Sequence, residues 1–421
     1  MFERDRYEMS VNESALKIVK KLNQAGYIAY FAGGWVRDYL LKRPSDDIDI
    51  ATNAPPDAIR ELFPHTILVG LAFGVVIVVI DGHQFEVATF RKDFDYIGGR
   101  RPEKIELSTP QEDALRRDFT INGMFYDPLT DTIYDYVEGR QDLKRGIIRT
   151  IGSPHERFAE DRLRMIRAVR FAMRFDFAID EETQQAIQMH APTLFPAVAM
   201  ERIWQEFNKM AKSVRFDQAI IEMHRLGLLQ MIFPSLQNMH PSILEERVAF
   251  YKHFPDDVPT ILYLLELFPE MSLEELLELC QYLKISVQDS KWIEFALKAK
   301  NLLIQEDVSP HEIHQLEWAR FYADKLFQVG FDVLSVRYPE EKREMIIERH
   351  EQRRERLTPH IQRLVERKPL VTAAILQTYG VKPGKQMGLL LKEAERIAVQ
   401  HDLHDPDIVV ALLKETSLWT S

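Results

Sequence analysis

Strand-forming signals crowd into the first third of the chain, and this restricts the fold more than any other feature. Tyr27 to Ala32 is a β-rich apolar run that ends in Gly33-Gly34. Val75 to Ile80 is an unbroken run of Val and Ile between Gly74 and Asp81-Gly82. Gln84 to Phe90 alternates, with Phe85, Val87 and Thr89 on one side and Glu86, Ala88 and Phe90 on the other. Helical patterns at Ser14–Gly26 and Pro56–Phe63 lie between these runs. A mixed α/β domain is expected over about residues 1–150. From about Pro154 the strand signals fade, and Glu160–Phe175, Glu181–His190 and Glu201–Lys212 read as amphipathic helices. The remainder reads as helical, broken at Pro234, Pro241, Pro255, Pro269, Pro310, Pro359 and Pro369. The stretch Glu340–Glu366 is dense in Arg, including Arg349, Arg353, Arg354 and Arg356, and as dense in Glu. It reads as a solvated, salt-bridged helix.

A chain of 421 residues has room for two to four domains. Its 46% hydrophobic and 28% charged residues are an ordinary soluble composition. No run of eighteen apolar residues indicates a membrane span, and Met1-Phe2-Glu3-Arg4 does not read as a signal peptide. The one cysteine, Cys280, sits in a leucine-rich stretch. It excludes an internal disulfide, fits a reducing cytoplasm, and reads as a buried apolar residue before it reads as a nucleophile. A net charge of −11 argues against nucleic acid until its distribution is considered. From Gly139 to Arg174 ten Arg and Lys stand against four acids, whereas Pro255–Leu279 is acidic. A basic stretch on an acidic protein can bind a phosphate backbone.

The first chemical signal is Gly33-Gly34-Trp35-Val36-Arg37-Asp38, followed by Asp46-Asp47-Ile48-Asp49-Ile50. Glycines between a strand and a helix let backbone N–H groups approach phosphate oxygens, and Arg37, one turn into that helix, is placed to join them. If Ile48–Thr52 begins a strand, Asp47 and Asp49 share one side while Ile48 and Ile50 face the core. Paired carboxylates are what two Mg²⁺ ions need, one to activate the attacking oxygen and one to steady a triphosphate.

This arrangement resembles the nucleotidyltransferase superfamily that includes DNA polymerase β. The form Gly-Gly-x-x-Arg-Asp with Asp-Ile-Asp-Ile-Ala is similar to the class II CCA-adding enzymes and bacterial poly(A) polymerases. Arg116-Arg117-Asp118-Phe119-Thr120-Ile121-Asn122 resembles the second motif of that family, and Glu160 to Phe171 resembles its base-reading helix. The match runs from about residue 28 to 175. It implies a polymerase β-like α/β nucleotidyltransferase head (1–150), followed by a mostly helical neck with the base-reading helix (151–215), body (216–335) and RNA-binding tail (336–421). It implies catalysis and Mg²⁺ binding by Asp47 and Asp49. Nucleotide binding is implied for Gly34, Arg37, Arg117, Asp161, Arg164, Arg167 and Arg170.

On one helix, Asp161, Arg164, Arg167 and Arg170 are spaced by three along one slowly drifting face. A carboxylate accepts and a guanidinium donates. Cytosine and adenine each offer an amino donor beside a ring-nitrogen acceptor, whereas uracil and guanine offer the reverse. In this family Asp161 and Arg164 form such a pair, a protein template that accepts C and A and refuses U and G at about 1–3 kcal/mol per unsatisfied group. Arg167 and Arg170 then lie toward the triphosphate, with Arg117 a further contact. Glu160 orients the arginines, and Asp118 and Asn122 hold their segment against the sheet. Arg91–Lys104, with Gly98-Gly99-Arg100-Arg101, reads as a mobile basic loop, either the C-to-A switching loop of the family or a plain surface loop.

The expected reaction is addition of C, C and A from CTP and ATP to the 3′ end of tRNA, with no role for DNA or a membrane. The alternative is a poly(A) polymerase. Phe119–Asp142 leans toward the polymerase pattern, whereas Val69–Gly74 and Tyr379–Leu389 resemble CCA-adding enzymes. Pro383-Gly384 is either a phosphate-holding helix start or merely a helix start. Tyr263-Leu264-Leu265-Glu266 and His311-Glu312-Ile313-His314 do not form a phosphohydrolase site, the latter reading as a solvated helix face. A non-catalytic RNA-binding protein remains a different class of reading, against which the intact Asp47, Asp49, Asp161 and Arg164 speak.

Overall fold

The computed structural model describes residues 2–67, 74–97 and 101–419, with backbone alone over 2–10, 93–97 and 101–105. Val69–Phe73 and Gly98–Arg100 therefore lie outside the described residues. The chain forms two compact units, Met1–Glu245 and Glu246–Ser421.

In the first unit, helix α1 (Phe2–Gln24) packs on β1 (Ala29–Ala32) and β5 (His83–Thr89). It starts well before the predicted Ser14, through a polar segment without apolar periodicity. Helix α2 (Gly34–Leu40), β2 (Asp49–Thr52), α3 (Pro56–Leu62), β3 (Thr66–Ile67) and β4 (Val75–Ile80) follow. Strands β8 (Phe125–Asp127) and β9 (Thr132–Tyr134) complete a seven-stranded sheet in the order β3-β4-β5-β2-β1-β8-β9. β2 pairs parallel to β5, with Ile50 opposite Val87, and antiparallel to β1. The alternation read in Gln84–Phe90 holds as far as Thr89, with Phe85, Val87 and Thr89 buried and Glu86 exposed, but Phe90, read onto the Glu86 side, lies past the strand and is buried as well.

The predicted basic loop Arg91–Lys104 is instead largely an antiparallel pair, β6 (Arg91–Ile97) with β7 (Arg101–Leu107). Its alternating charged and aromatic residues have strand periodicity, which Gly98-Gly99 in the sequence obscured. Helix α4 (Pro110–Leu115), capped by Thr109, then leads to the Arg116–Asn122 segment. Helices α5 (Gly139–Arg145), α6 (Pro154–Glu160), α7 (Leu163–Phe175), α8 (Glu181–His190), α9 (Leu194–Ala197) and α10 (Met200–Ala211) complete the surroundings of the site. The expected continuous helix from Glu160 is broken: Asp161 is extended, at φ −146 and ψ 105, between α6 and α7.

The second unit is helical in all its described elements. No described helix is long and apolar enough to cross a membrane. Three expectations fail here. Glu340–Glu366 is one helix through Pro359, because Leu357 and His360 are buried on either side, and the Thr358 hydroxyl bonds the Arg354 carbonyl at 3.0 Å. Nor is that helix wholly solvated. His350 and Ile346 are buried, and Arg349 and Arg353 donate to Glu306, whose side chain is 2% exposed. Tyr322 O–H donates to His350 Nδ1 at 2.8 Å, and His350 Nε2–H donates to Glu306 at 3.1 Å. His314 caps the helix Gln315–Ala323, accepting from the Leu316 N–H at 3.2 Å, and is not on a helix face.

Burial alone would raise the Glu306 carboxyl, but the bonds from His350 and Arg353 bring it down to about 2. The contribution of this ion cluster is fully present above the ordinary carboxyl range and is lost as pH falls toward 2. Glu306→Ala would strand two guanidinium groups and is expected to cost about 3–5 kcal/mol in urea unfolding at neutral pH. A loss under about 1 kcal/mol would show that the cluster contributes little.

Candidate functional site

Gly33 turns the chain from β1 into α2 with φ 65 and ψ −128, a conformation closed to side chains. A Cβ there would lie 3.2 Å from Arg117 Nη1 and 3.8 Å from Asp49 Oδ2. The turn thus brings the second motif and the carboxylates against bare backbone. Along the next segment, exposed Asp47, buried Ile48, half-buried Asp49 and buried Ile50 alternate as the sequence suggested.

One register step before the Ile50–Val87 pair, Asp49 and Glu86 stand side by side on neighbouring strands. Burial, then Asp47, then Glu86 push the Asp49 carboxyl up to about 7, against a smaller opposing effect of Arg117. Three carboxylates crowd one corner of a cleft of about 1160 Å³. Glu86 was not singled out in the sequence. Its signal was there, as a lone acid on the polar side of an alternating strand.

The same cleft is also lined by cations. Arg116 donates to Asp113 Oδ1 at 2.8 Å, and Arg117 donates to Asp113 Oδ2 at 3.0 Å while lying 5.0 Å from the Phe125 ring centre. Asp113 is buried, and its carboxyl is held below the usual range: burial opposes this, but the two arginines outweigh it. Asp118 accepts from the Phe119 and Asn122 N–H groups on one oxygen and from Arg167 Nε and Nη2, at 2.9 and 2.6 Å, on the other. Burial would raise it, but Arg167 and Asn122 pull it down to about 2. Arg37 is buried, donating to Asp38 at 2.8 Å and to Asn122 at 2.6 Å over the Phe175 ring at 4.5 Å. Burial lowers its pKa to about 10. Arg37 therefore lines the cleft with most of its donors already committed.

Helix α7 presents Arg164, Arg167 and Arg170 to the cleft, while Asp161 reaches it from the break before the helix. The four do not share one helix face. Arg164 donates to Glu160 at 2.6 Å and to the carbonyls of Arg157 and Arg116. Asp161 accepts from Arg202 at 2.8 and 3.3 Å and from the Leu163 N–H at 3.0 Å. Arg170 donates to Glu206 at 2.5 Å, and Lys209 reaches the same carboxylate at 3.4 Å. Arg202, Glu206 and Lys209 were also missed. They lie at i, i+4 and i+7 of α10, opposite buried Ile203, Phe207 and Met210. That polar stripe is readable in the sequence, but nothing there says what it faces.

A family model described as "Poly A polymerase head domain" matches residues 29–149. A second, described as "Probable RNA and SrmB- binding site of polymerase A", matches residues 176–239. The chain is 47% identical over 199 residues to a CCA-adding enzyme of Geobacillus stearothermophilus, covering 47% of this chain and 49% of the relative. To a CCA-adding enzyme of Staphylococcus saprophyticus it is 38% identical over 246 residues, 58% and 57% of the two. These alignments span about half the length of the curated relatives. The crystal structure of the Bacillus stearothermophilus CCA-adding enzyme with CTP superposes with a TM-score of 0.79 at 28% identity, covering 96% of this chain and 97% of that one. The Thermotoga maritima CCA-adding enzyme complexed with tRNA shares the fold, with a TM-score of 0.65 at 21% identity, over 97% and 95%.

Gly33→Ala forces a residue with a Cβ into a conformation that glycine alone accepts and presses on Arg117. It is expected to cost about 1–3 kcal/mol in denaturant unfolding. A negligible change would contradict the turn geometry.

Proposed function

We infer the activity from one premise: the chain belongs to the family of class II CCA-adding enzymes and bacterial poly(A) polymerases. In our reading it adds C, C and A, from CTP and ATP, to the 3′ end of tRNA. The observation that carries this is the meeting, in one cleft, of the Asp47–Asp49 carboxylates with Asp161 and Arg164. Residues 1–150 would be the catalytic head, 151–215 the neck, 216–335 the body and 336–421 the RNA-binding tail. The reading sets the enzyme in the cytoplasm, where the buried Cys280 thiol, pushed up to about 11 by burial, would stay reduced and inert.

Hard oxygen donors and uncompensated negative charge suit Mg²⁺, and Asp47 and Asp49, with Glu86 beside them, are the residues that would hold it. When bound, the ion would supply charge neutralisation to the triphosphate and raise the acidity of the attacking 3′-hydroxyl. Arg117, Arg167 and Arg170 hold the triphosphate by charge, and the backbone at Gly34 lets it approach. Arg37 holds the Asn122 segment beneath them. Asp161 offers an acceptor and Arg164 a donor to the base edge. Glu160 fixes Arg164, so the donor keeps its direction between additions.

The family also contains adenylating polymerases, and both matching family models carry polymerase names. A tRNA transcript ending at its discriminator base, given CTP and ATP together, separates the two. Three additions and a halt are expected, resolved at single-nucleotide length. A long ladder of A on tRNA and unrelated RNA alike would transfer the assignment to poly(A) polymerase.

Because Asp49 keeps its proton below about 7, protons and Mg²⁺ compete for it. The Mg²⁺ concentration for half-maximal incorporation is expected to rise up to about tenfold per pH unit as pH falls below 7. Asp47→Ala and Asp49→Ala should each abolish incorporation while leaving the melting curve in place. Activity retained by either variant, or an Mg²⁺ requirement indifferent to pH, would remove these residues from the metal site.

A further inference from the structure

In the second unit, three side chains turn their metal-binding atoms toward one point. His360 lies near the end of the helix Glu340–Glu366, and Asp402 and His404 lie in the turn between the helices Lys385–Gln400 and Pro406–Lys414. His360 Nε2 is 2.8 Å from Asp402 Oδ1, and His404 Nε2 is 3.4 Å from the same oxygen. The ligand atoms of all three lie within 4.8 Å of one another, and the two imidazole rings stack with centres 5.2 Å apart. The His360 side chain is buried, whereas those of Asp402 and His404 are 53% and 51% exposed. The group therefore combines one fixed ligand with a side open to solvent.

We propose that His360, Asp402 and His404 form a site for a divalent transition-metal ion of the Zn²⁺ and Co²⁺ class, with water completing the coordination. The proposal does not depend on the reading of the cleft. Two imidazoles and one carboxylate select this class over Mg²⁺, which takes oxygen donors. Ligands bound to a tetrahedral ion at about 2.0–2.2 Å stand about 3.4 Å from one another. The His404–Asp402 pair has that spacing already. The His360–Asp402 pair must open by about half an ångström, which rotation of the exposed Asp402 carboxylate supplies. Burial, helped by Arg363, keeps the His360 imidazole below its ordinary range against the pull of Asp402. It is therefore uncharged, the form that ligates a metal.

Arg363 opposes the metal. Its Nη2 donates to His360 Nδ1 at 2.5 Å and lies 3.5 Å from the Leu403 carbonyl oxygen. That donation puts the imidazole proton on Nε2, which donates to Asp402. Ligation exchanges these places: the metal takes Nε2, the ring proton moves to Nδ1, and Arg363 turns from the ring toward the Leu403 carbonyl. The imidazole stays neutral throughout. A purely structural tether between the helix end and the turn uses the same hydrogen bonds but takes up no metal.

The test uses untagged, full-length protein stripped of metal by a chelator and then dialysed. Zn²⁺ binding is measured by calorimetry and Co²⁺ binding by its visible absorption. Wild type is compared with His404→Ala, Asp402→Asn, Arg363→Met and Asp49→Ala. Asn keeps the left-handed backbone that Asp402 adopts at φ 52. Wild type is expected to bind one equivalent at this site and to melt at a higher temperature with Zn²⁺ present. His404→Ala and Asp402→Asn should each bind about tenfold more weakly or worse, while melting in chelator as wild type does. Arg363→Met should bind more tightly, because the competing donor and its charge are gone. Asp49→Ala should bind as wild type does. Binding unchanged in both His404→Ala and Asp402→Asn, binding lost in Asp49→Ala, or no uptake by wild type would overturn the proposal. Weaker binding by Arg363→Met would overturn ligation through Nε2.

Discussion

Asp118 is withdrawn from water, and four N–H groups converge on it. Two come from Phe119 and Asn122 in its own segment and two from Arg167 on α7. Asn122 in turn accepts from Arg37, one turn into the helix that follows the glycines. One ionised carboxylate thus ties together the turn, the second motif and the arginine helix. A buried charge costs several kcal/mol unless its partners are in place. Only one arrangement of those three segments is therefore low in energy, and the cleft is shaped before any ligand arrives. Asp113 acts likewise toward Arg116 and Arg117, and Glu206 toward Arg170.

The cations of the cleft fall into two kinds. Arg37 is buried, and its bonds to Asp38 and Asn122 make it part of the frame. Arg174, Lys209 and Arg167 keep 47%, 55% and 30% of their side chains exposed and can face an incoming polyanion. A protein with a net charge of −11 so carries a local positive field, in the same cleft where Asp47, Asp49 and Glu86 repel one another. The two corners need each other's chemistry: one suits phosphate oxygens and the other a cation that phosphate can share.

The second unit uses the same device for a different end. Glu306 joins its own helix to Glu340–Glu366 through Arg349, His350 and Arg353, and Tyr322, bonded to His350, adds a third helix to the cluster. The helix Glu340–Glu366 has one solvated face and one buried, and its proline is carried between buried Leu357 and buried, hydrogen-bonded His360, which hold the helix on either side of the lost backbone bond. Farther along, Val371, Leu376, Leu390, Ile397 and Val409 form a separate apolar cluster.

Several features were legible in the sequence because they depend on neighbours within a few residues. The unbroken Val and Ile run marked β4 and the alternating run marked β5 nearly to the residue, Gly33-Gly34 marked the turn into α2, and Asp47-x-Asp49 marked the alternation at the start of β2. The spacing of Arg164, Arg167 and Arg170 put all three on α7. What depends on distant partners was out of reach. A three-residue spacing cannot say that Asp161 lies in a break, nor that its carboxylate is bound by Arg202, forty-one positions away. Glu86 is one acid among many until a parallel register sets it beside Asp49. A charged stripe such as Arg202–Glu206–Lys209 reads as solvent-facing unless a second helix is known to cover it. Local periodicity determined which elements form and where the chemistry begins. Tertiary structure alone decided which charges are buried together, because the cost of burying an unpaired charge is met by partners from other parts of the chain.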